Sequence, residues 1–205
     1  MSKGKGVKFE GFEQPSMTVL SGYSGCGKTS TVREFLMNGL VKRIDTLTLL
    51  CEYPNENVYE QIKQMCMLHN PFCKLNEVNG SMALDKVIKS LDAGECNLLI
   101  VDDQLNTTEF NLSKIAGVES RHKNCTTFLI TQNIFSDKRD FLHFKRQVRY
   151  FVLFNDGDSS TSRFLKTRFP QLRHVTLPAS RFYIGDTHTK NIYDESYNLI
   201  SFQES

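Results

Sequence analysis

A glycine-rich run near the amino terminus has the residue types and the spacing of a phosphate-binding loop. Residues 22–29 read Gly-Tyr-Ser-Gly-Cys-Gly-Lys-Thr and fit the P-loop pattern G-x-x-x-x-G-K-[ST]. In this pattern successive backbone N–H groups point at phosphate oxygens, and the dipole of the following helix favours the same anion. We expect Lys28 to reach the β- and γ-phosphates of a nucleotide and the hydroxyl of Thr29 to bind Mg²⁺.

The segments on either side of this loop are those that the motif requires. Residues 17–21 are apolar and β-branched, which predicts a strand, and the pattern of residues 30–37 predicts a helix. These flanks disfavour the alternative, a glycine-rich turn that contains Lys-Thr by coincidence. The predicted nucleotide-binding residues are Gly22, Tyr23, Ser24, Gly25, Cys26, Gly27, Lys28, Thr29 and Ser30.

An acidic pair follows a second apolar run. Residues 97–101 predict a strand that is buried on both faces of a parallel sheet, and Asp102 and Asp103 come directly after it. Ligands of open α/β sheets collect at the carboxyl ends of the strands. We therefore expect Asp102 to hold Mg²⁺ beside Thr29, directly or through water, and Asp103 to orient or deprotonate the attacking water. An acidic loop is common after any strand, so the pair gains its meaning from the P-loop.

Two more candidate catalytic residues flank the strand predicted over residues 126–131. Gln132 follows the strand, and its amide can hydrogen-bond both a γ-phosphate and a lytic water. Arg121 ends the helix predicted before the strand, over residues 109–121, and could project into the nucleotide site of a neighbouring subunit. Such an arginine finger contributes ~10³-fold or more in rate. The alternative role for Arg121 is that of a cation that favours the helix dipole.

A basic segment over residues 138–149 is a candidate nucleic-acid contact. It holds five Lys or Arg residues against one acidic residue, interleaved with aromatic side chains. Such a segment suits a phosphate backbone that is threaded past it, although many charge runs are merely solvated surfaces. The predicted nucleic-acid contacts are Lys138, Arg139, Lys145, Arg146 and Arg149.

The remaining pattern alternates strands with helices and predicts an α/β fold. The 205 residues, 40% of them apolar, are expected to form one domain with a mostly parallel sheet between helices, as in P-loop NTPases. Residues 1–14 are expected to be a flexible segment, and residues 181–185 and 198–202 a terminal hairpin or a pair of edge strands. Further strands are predicted over 44–51 and 148–155, and helices over 57–68, 81–91 and 159–169.

Composition excludes little, because a formal charge of +2 does not identify a polyanionic partner. Six cysteines without a C-x-x-C pair predict reduced thiols of an intracellular protein. A zinc site at Cys66, His69 and Cys73 would lack a fourth ligand at a suitable spacing. No stretch approaches the ~18 apolar residues that span a bilayer, and no apolar leader is present, so we expect a soluble, unsecreted protein.

Taken together, these motifs resemble the FtsK/HerA group of P-loop ATPases, which have an ASCE, RecA-like fold. Within this group the chain is similar to the viral genome-packaging ATPases of poxviruses, adenoviruses, virophages and Polinton/Maverick-type elements. The resemblance covers nearly the whole chain. It is carried by the P-loop, by Tyr-Pro-Asn-Glu-Asn-Val-Tyr at residues 53–59, by Ile-Val-Asp-Asp at residues 100–103, and most specifically by residues 120–124 leading to residues 130–135.

The resemblance implies a ring of five or six subunits that hydrolyses ATP with Mg²⁺ and drives double-stranded DNA into a preformed capsid. It implies that Gln132 is the sensor and Arg121 a finger acting in trans. It also implies a capsid or portal-vertex protein as partner, and a location at virion assembly sites in the host cytoplasm or nucleus, or in the virion. The chain departs from the group at Cys26, at Arg-His-Lys in residues 121–123, and at Asp103, where cellular translocases carry glutamate.

Two other functions remain open from the sequence. A P-loop kinase with a small substrate is one, since residues 138–149 loosely match an arginine-rich lid, whereas a GTPase would need an N/T-K-x-D motif that the chain lacks. A nucleotide-dependent DNA-binding scaffold that hydrolyses poorly is the other. The intact Lys28, Thr29 and acidic pair argue against the scaffold.

Overall fold

One mostly parallel sheet organises the chain, as seen in a computed structural model that describes residues 7–79, 84–102, 120–132, 144–155, 159–173 and 176–200. The strands are β1 (Met17–Ser21), β2 (Thr46–Cys51), β3 (Lys74–Asn79), β4 (Asn97–Asp102), β5 (Cys125–Thr131), β6 (Tyr150–Phe154), β7 (Phe182–Asp186) and β8 (Ile192–Tyr193). The helices are α1 (Lys28–Met37), α2 (Asn57–His69), α3 (Leu84–Ser90), α4 (Ser120–His122) and α5 (Ser159–Arg168), with a 3₁₀ turn at Pro170–Leu172.

The strands lie in the order β3-β2-β4-β5-β1-β6-β7-β8. The first six in this order are parallel, and β7 and β8 continue the sheet as an antiparallel hairpin. Every residue of β1, β2, β5 and β6 is buried, as expected for parallel strands with helices on both faces. The structure confirms the predicted α/β class with a mostly parallel sheet and a C-terminal hairpin.

Each face of the sheet is covered by its own apolar cluster. On one face α1 and α2 bury side chains such as Phe35 and Ile62 against the strands. On the other face α3 and α5 bury Ile88 and Leu165. Because the described helices cover both faces of the sheet, we expect polar ligands to bind at the ends of its strands.

Residues 7–14 differ from the flexible segment that we expected at the amino terminus. Phe12 is 2% exposed, and its ring centroid lies 5.1 Å from those of Phe128 and Tyr150. The N–H of Phe12 also donates a 2.8 Å hydrogen bond to the carbonyl of Leu40. Two buried aromatic rings, Phe9 and Phe12, therefore hold this segment against the core.

Several element boundaries also differ from the prediction. The polar strand β3 was not predicted, because it pairs with β2 alone at the edge of the sheet and needs no apolar run. The hairpin partner of β7 is β8, whereas Asn198 and Leu199 form only isolated bridges, to Lys8 and Tyr193. Of the helix predicted over 109–121, only its last residues, in α4, lie within the described residues.

All six cysteines are free thiols. Nε2 of His69 lies 2.8 Å from the carbonyl oxygen of Leu36. Over the described parts of the chain, no group of three or more His, Cys, Asp or Glu residues could hold a metal ion. Within the same residues, no helix is both long and apolar enough to cross a bilayer.

Candidate nucleotide site

A cleft of about 680 Å³ opens at the carboxyl edge of the parallel strands. The P-loop after β1 forms one wall, the ends of β4 and β5 form the floor, and the segment between β2 and α2 forms the other wall. This volume lies in the range of ordinary small-molecule sites. The lining residues are Ser24, Gly25, Gly27, Lys28, Thr29, Ser30, Cys51, Glu52, Tyr53, Glu56, Val58, Tyr59, Asp102 and Gln132.

The backbone of the P-loop takes the shape that phosphate binding needs. Gly25 and Gly27 have φ values of 78° and 91°, in the left-handed region that glycine adopts without strain. Gly27 is also the residue that precedes α1, and it carries no side chain that could cap the first N–H groups of the helix. These N–H groups and the positive end of the helix dipole are therefore available to an anion in the cleft.

The Lys28 ammonium is held above the loop by two carbonyl oxygens. Its Nζ donates hydrogen bonds of 2.8 Å to the carbonyls of Gly22 and Tyr23, and the residue is only 9% exposed. A phosphate offers a negatively charged acceptor, which makes a stronger hydrogen bond with an ammonium than a neutral carbonyl does. The Lys28 ammonium therefore lies at the P-loop, and its binding to phosphate stays a prediction.

Thr29 and Asp102 meet at the floor of the cleft. The Thr29 hydroxyl donates a 2.7 Å hydrogen bond to Oδ2 of Asp102. A hydroxyl and a carboxylate are the hard oxygen ligands that Mg²⁺ takes together with nucleotide phosphates, so the residues present fit this ion. Asp103, predicted to act on the attacking water, lies outside the described residues.

Gln132 follows the strand that lies between β1 and β4. Strand β5 lies between β1 and β4, with Thr131 beside Ser21 and Ile130 beside Asp102. Gln132 comes directly after β5, and it is exposed and lines the cleft. The inserted strand therefore brings an amide to the same edge as the lysine and the carboxylate.

The wall that follows β2 was not among the predicted site residues. It contributes two carboxylates, Glu52 and Glu56, and the phenol of Tyr59. The Tyr59 hydroxyl donates a 2.6 Å hydrogen bond to Oδ2 of Asp102, and burial, followed by the charge of Asp102, raises the pKa of this phenol. These residues could have been predicted from the sequence, because they follow a parallel strand and the carboxyl ends of all parallel strands lie at the same edge of the sheet.

Arg121 lies at the opposite edge of the sheet. It is exposed, in α4 just before β5 begins, and it lines a cavity of about 310 Å³ together with Glu13, Ser16 and Arg149. The seven residues of β5 separate this edge from the cleft, a span of ~20 Å at the usual strand rise. Arg121 therefore does not reach the cleft of its own chain.

The basic segment is divided between different environments. Lys138 and Arg139 lie outside the described residues. Arg149 forms ion pairs with Glu13 and with Asp186, the latter at 3.7 Å between Nε and Oδ1. Lys145 is half-buried, and its Nζ lies 5.9 Å from the ring centre of Phe164. Arg146 is exposed.

The sheet order, the P-loop geometry and the cleft together define a P-loop NTPase fold. Among solved structures, the chain is similar to the genome packaging NTPase B204 from Sulfolobus turreted icosahedral virus 2. The complex of B204 with AMP has a TM-score of 0.57 and 14% identity over 88% of this chain and 96% of B204. The complex with AMPPCP has the same TM-score and identity over 87% and 95%.

The cytoplasmic domain of the type VII secretion ATPase EccC from Thermomonospora curvata is also similar, with a TM-score of 0.51 and 12% identity. That alignment covers 93% of this chain and 24% of the EccC chain. No protein-family model and no curated protein sequence matches the chain. At these identities the likeness is one of fold, and it confirms the predicted P-loop NTPase fold.

Proposed function

We propose that this protein is an ATPase that translocates double-stranded DNA and packages a viral or virus-like genome into a preformed capsid. One observation carries the proposal: Lys28, Thr29, Asp102 and Gln132 converge on a single cleft at the carboxyl edge of the sheet. The B204 structures support it, since B204 shares the fold and is a genome packaging NTPase with bound nucleotides in its structures.

In this proposal each cleft residue has one task. The P-loop N–H groups and Lys28 bind the phosphates of ATP, and Thr29 and Asp102 hold Mg²⁺, which supplies charge neutralisation at the transferred phosphoryl group. Gln132 orients the attacking water beside the γ-phosphate. Asp103, which follows Asp102 directly in the chain, accepts the proton of that water.

The charges around the cleft favour a contribution from a second subunit. Among its described lining residues, Lys28 is the one cation, against the carboxylates of Glu52, Glu56 and Asp102. Phosphoryl transfer develops further negative charge that a second cation stabilises. Arg121 lies on the opposite edge of the sheet, so a head-to-tail arrangement of subunits places it in a neighbour's cleft. Head-to-tail contacts that close give a ring, which we propose has five or six subunits.

Exposed apolar side chains support such a contact at the amino edge of the sheet. Leu68, in the last turn of α2, is 75% exposed, and Phe72, in the turn that leads to β3, is 89% exposed. Large apolar side chains in one exposed patch are typical of protein interaction sites. The patch shares its edge of the sheet with Arg121, where the proposed neighbour docks.

DNA is proposed to contact the basic segment through its phosphates. Arg146 is the exposed cation of this segment among the described residues, with Lys145 beside it, and Lys138 and Arg139 complete the set. Phosphate contacts carry no base specificity, which suits a motor that moves along any sequence. The proposed partner at the assembly site, in the host cytoplasm or nucleus or in the virion, is a capsid or portal-vertex protein.

The test is steady-state ATP hydrolysis with and without long double-stranded DNA. We expect DNA to stimulate the parent chain, and expect Lys28→Ala and Arg121→Ala each to abolish the stimulation. Arg173→Ala is the matched control, because Arg173 is exposed and lines a different cavity, together with Ser162 and Lys166. An ATP hydrolysis rate that is the same with and without DNA, and that Arg121→Ala does not lower, would favour a P-loop kinase. Nucleotide binding without hydrolysis would favour a scaffold.

A mixing experiment tests the contribution in trans. In an equal mixture, the Arg121→Ala chains supply intact clefts and the Lys28→Ala chains supply intact Arg121 side chains. Half of all clefts are then intact, and half of these face an intact Arg121 of the neighbouring subunit. We therefore expect about a quarter of the parent activity to return in a head-to-tail ring. Mixing Arg121→Ala with the double variant Lys28→Ala/Arg121→Ala is the control, since no intact finger is present. If ATP hydrolysis returns in neither mixture, the proposal of a site shared between two subunits is contradicted.

A further inference from the structure

The hydroxyl of Tyr59 lies at the floor of the cleft and contacts the carboxylate that the proposed function assigns to Mg²⁺. It donates a 2.6 Å hydrogen bond to Oδ2 of Asp102. The same oxygen accepts the 2.7 Å hydrogen bond from the Thr29 hydroxyl. Both bonds are short enough to be of the strong, charge-assisted kind.

These two donors determine how the carboxylate is presented. An ionised carboxylate oxygen has two lone-pair directions, so the hydroxyls of Thr29 and Tyr59 occupy both directions at Oδ2. The second oxygen of Asp102 is then the one left for a metal ion or its water. Rotation of the carboxylate would break both hydrogen bonds, so the two donors hold its orientation.

The position of Tyr59 in the fold makes it a rigid donor. Tyr59 is the third residue of α2 and is 5% exposed, so its ring is held by packing rather than by solvent. The helix is itself held against the sheet through the buried Ile62 and Cys66. A donor on a packed helix can orient a metal ligand more accurately than a donor on an exposed loop.

We infer that Tyr59 is a positioning residue that orients Asp102 for Mg²⁺ and thereby sets the Mg²⁺ dependence of nucleotide binding. The inference rests on the proposed function, because it needs a cleft that binds nucleotide with Mg²⁺. It extends that function by a residue that the P-loop and acidic motifs do not include. Tyr59 does not contact the nucleotide in this role and acts through Asp102.

The test is the binding of a fluorescent ATP analogue to the purified chain across a Mg²⁺ titration, with a parallel measurement in EDTA. Tyr59→Phe removes only the hydroxyl. We expect the Mg²⁺ concentration at half-saturation to rise about 10- to 100-fold, as for the loss of other partners of metal ligands, with binding in EDTA unchanged. Tyr183→Phe is the matched control, because the buried Tyr183 hydroxyl donates to the carbonyl of Pro178 at 2.5 Å, away from the cleft.

A double-mutant cycle separates positioning from a purely structural effect. If Tyr59 acts through Asp102, Tyr59→Phe causes no further change in Mg²⁺ dependence once Asp102→Asn is present. If the role of Tyr59 is merely structural, Tyr59→Phe lowers the melting temperature, but its Mg²⁺ concentration at half-saturation equals that of Tyr183→Phe. This result would overturn the inference. A parent chain that binds no nucleotide would overturn the proposed function and the inference together.

Discussion

The Thr29 hydroxyl donates a 2.7 Å hydrogen bond to Asp102, although 73 positions separate the two residues in the chain. The contact exists because β1 and β4 are parallel and end at the same edge of the sheet, with β5 between them. Thr29 follows the loop after β1, and Asp102 ends β4. The two oxygen ligands expected for Mg²⁺ are therefore adjacent in the fold.

This adjacency predicts that Thr29 and Asp102 act as one unit. Thr29→Val removes the hydroxyl at nearly constant shape, and we expect it to weaken Mg²⁺-dependent ATP binding by about 10- to 100-fold, while Thr29→Ser stays near the parent. Asp102→Asn should have a similar effect, and the double variant should be little worse than either single one. Calorimetric titration with ATP at fixed Mg²⁺ measures all four. Fully additive losses would show that the two residues act independently.

The close packing around Gly22, at the start of the P-loop, leaves no room for a larger side chain. A Cβ atom at this position would lie 2.6 Å from Cβ of Phe154 and 2.9 Å from Sγ of Cys26. Since Phe154 belongs to the buried strand β6, it cannot move aside, and we expect Gly22→Ala to lower the free energy of unfolding by about 1–3 kcal/mol. Nucleotide binding should fall as well.

Urea denaturation of Gly22→Ala beside Gly94→Ala measures this effect. A Cβ on Gly94 would approach Oδ1 of Asp92 no closer than 3.4 Å, which is an ordinary contact, so that variant should unfold close to the parent midpoint. Equal midpoints for the two variants would show that the loop can shift away from Phe154.

Cys26 predicts a pH-dependent and nucleotide-sensitive alkylation. Burial raises the pKa of its thiol, an effect that the charge of Lys28 only partly opposes. The group is therefore a neutral thiol at pH 7, and the thiolate that reacts with iodoacetamide becomes abundant only as pH rises above the ordinary thiol range. Bound ATP should slow the reaction further by holding the P-loop closed over the half-buried sulfur.

Peptide mapping by mass spectrometry at pH 7 and pH 9, with and without Mg²⁺ and ATP, checks the alkylation of Cys26. The half-buried Cys96 serves as the internal control, because it lies at the amino edge of the sheet, where ATP should not protect it. Rapid labelling of Cys26 at pH 7, unchanged by ATP, would contradict the expected environment of the thiol.

The parts of the site that sequence predicted are those defined by short-range patterns. Glycines, Lys28 and Thr29 lie within eight consecutive residues, and the loop geometry follows from their order. Asp102 and Gln132 could be predicted because each follows a buried strand, and parallel strands end at one edge. The near-continuous apolar runs of β4 and β5 made those strands easy to recognise.

The parts that sequence did not predict depend on packing between distant segments. Tyr59 lies on a helix of ordinary amphipathic pattern, and only the approach of α2 to β4 places its hydroxyl on Asp102. Phe12 lies in a short segment without periodicity, and its burial depends on Phe128 and Tyr150, more than 100 residues away. A single sequence does not show such contacts, because local propensity does not determine them.

We expect substitutions of Arg149 and Arg146 in the basic segment to have different effects, the first on stability and the second on DNA binding. The Arg149 guanidinium pairs with Asp186, whose side chain is 7% exposed, and lies 5.2 Å from the ring centre of Tyr150. Arg149→Ala leaves that buried carboxylate without its cation, so we expect a loss of about 1–3 kcal/mol in the free energy of unfolding.

Arg146→Ala should leave stability unchanged, because Arg146 is exposed, and should weaken binding to double-stranded DNA with a smaller salt dependence. Chemical denaturation and DNA binding at two salt concentrations separate the two effects. If Arg149→Ala weakens DNA binding as much as Arg146→Ala does while its unfolding midpoint matches that of the parent, Arg149 contacts DNA and its ion pairs contribute little to the fold.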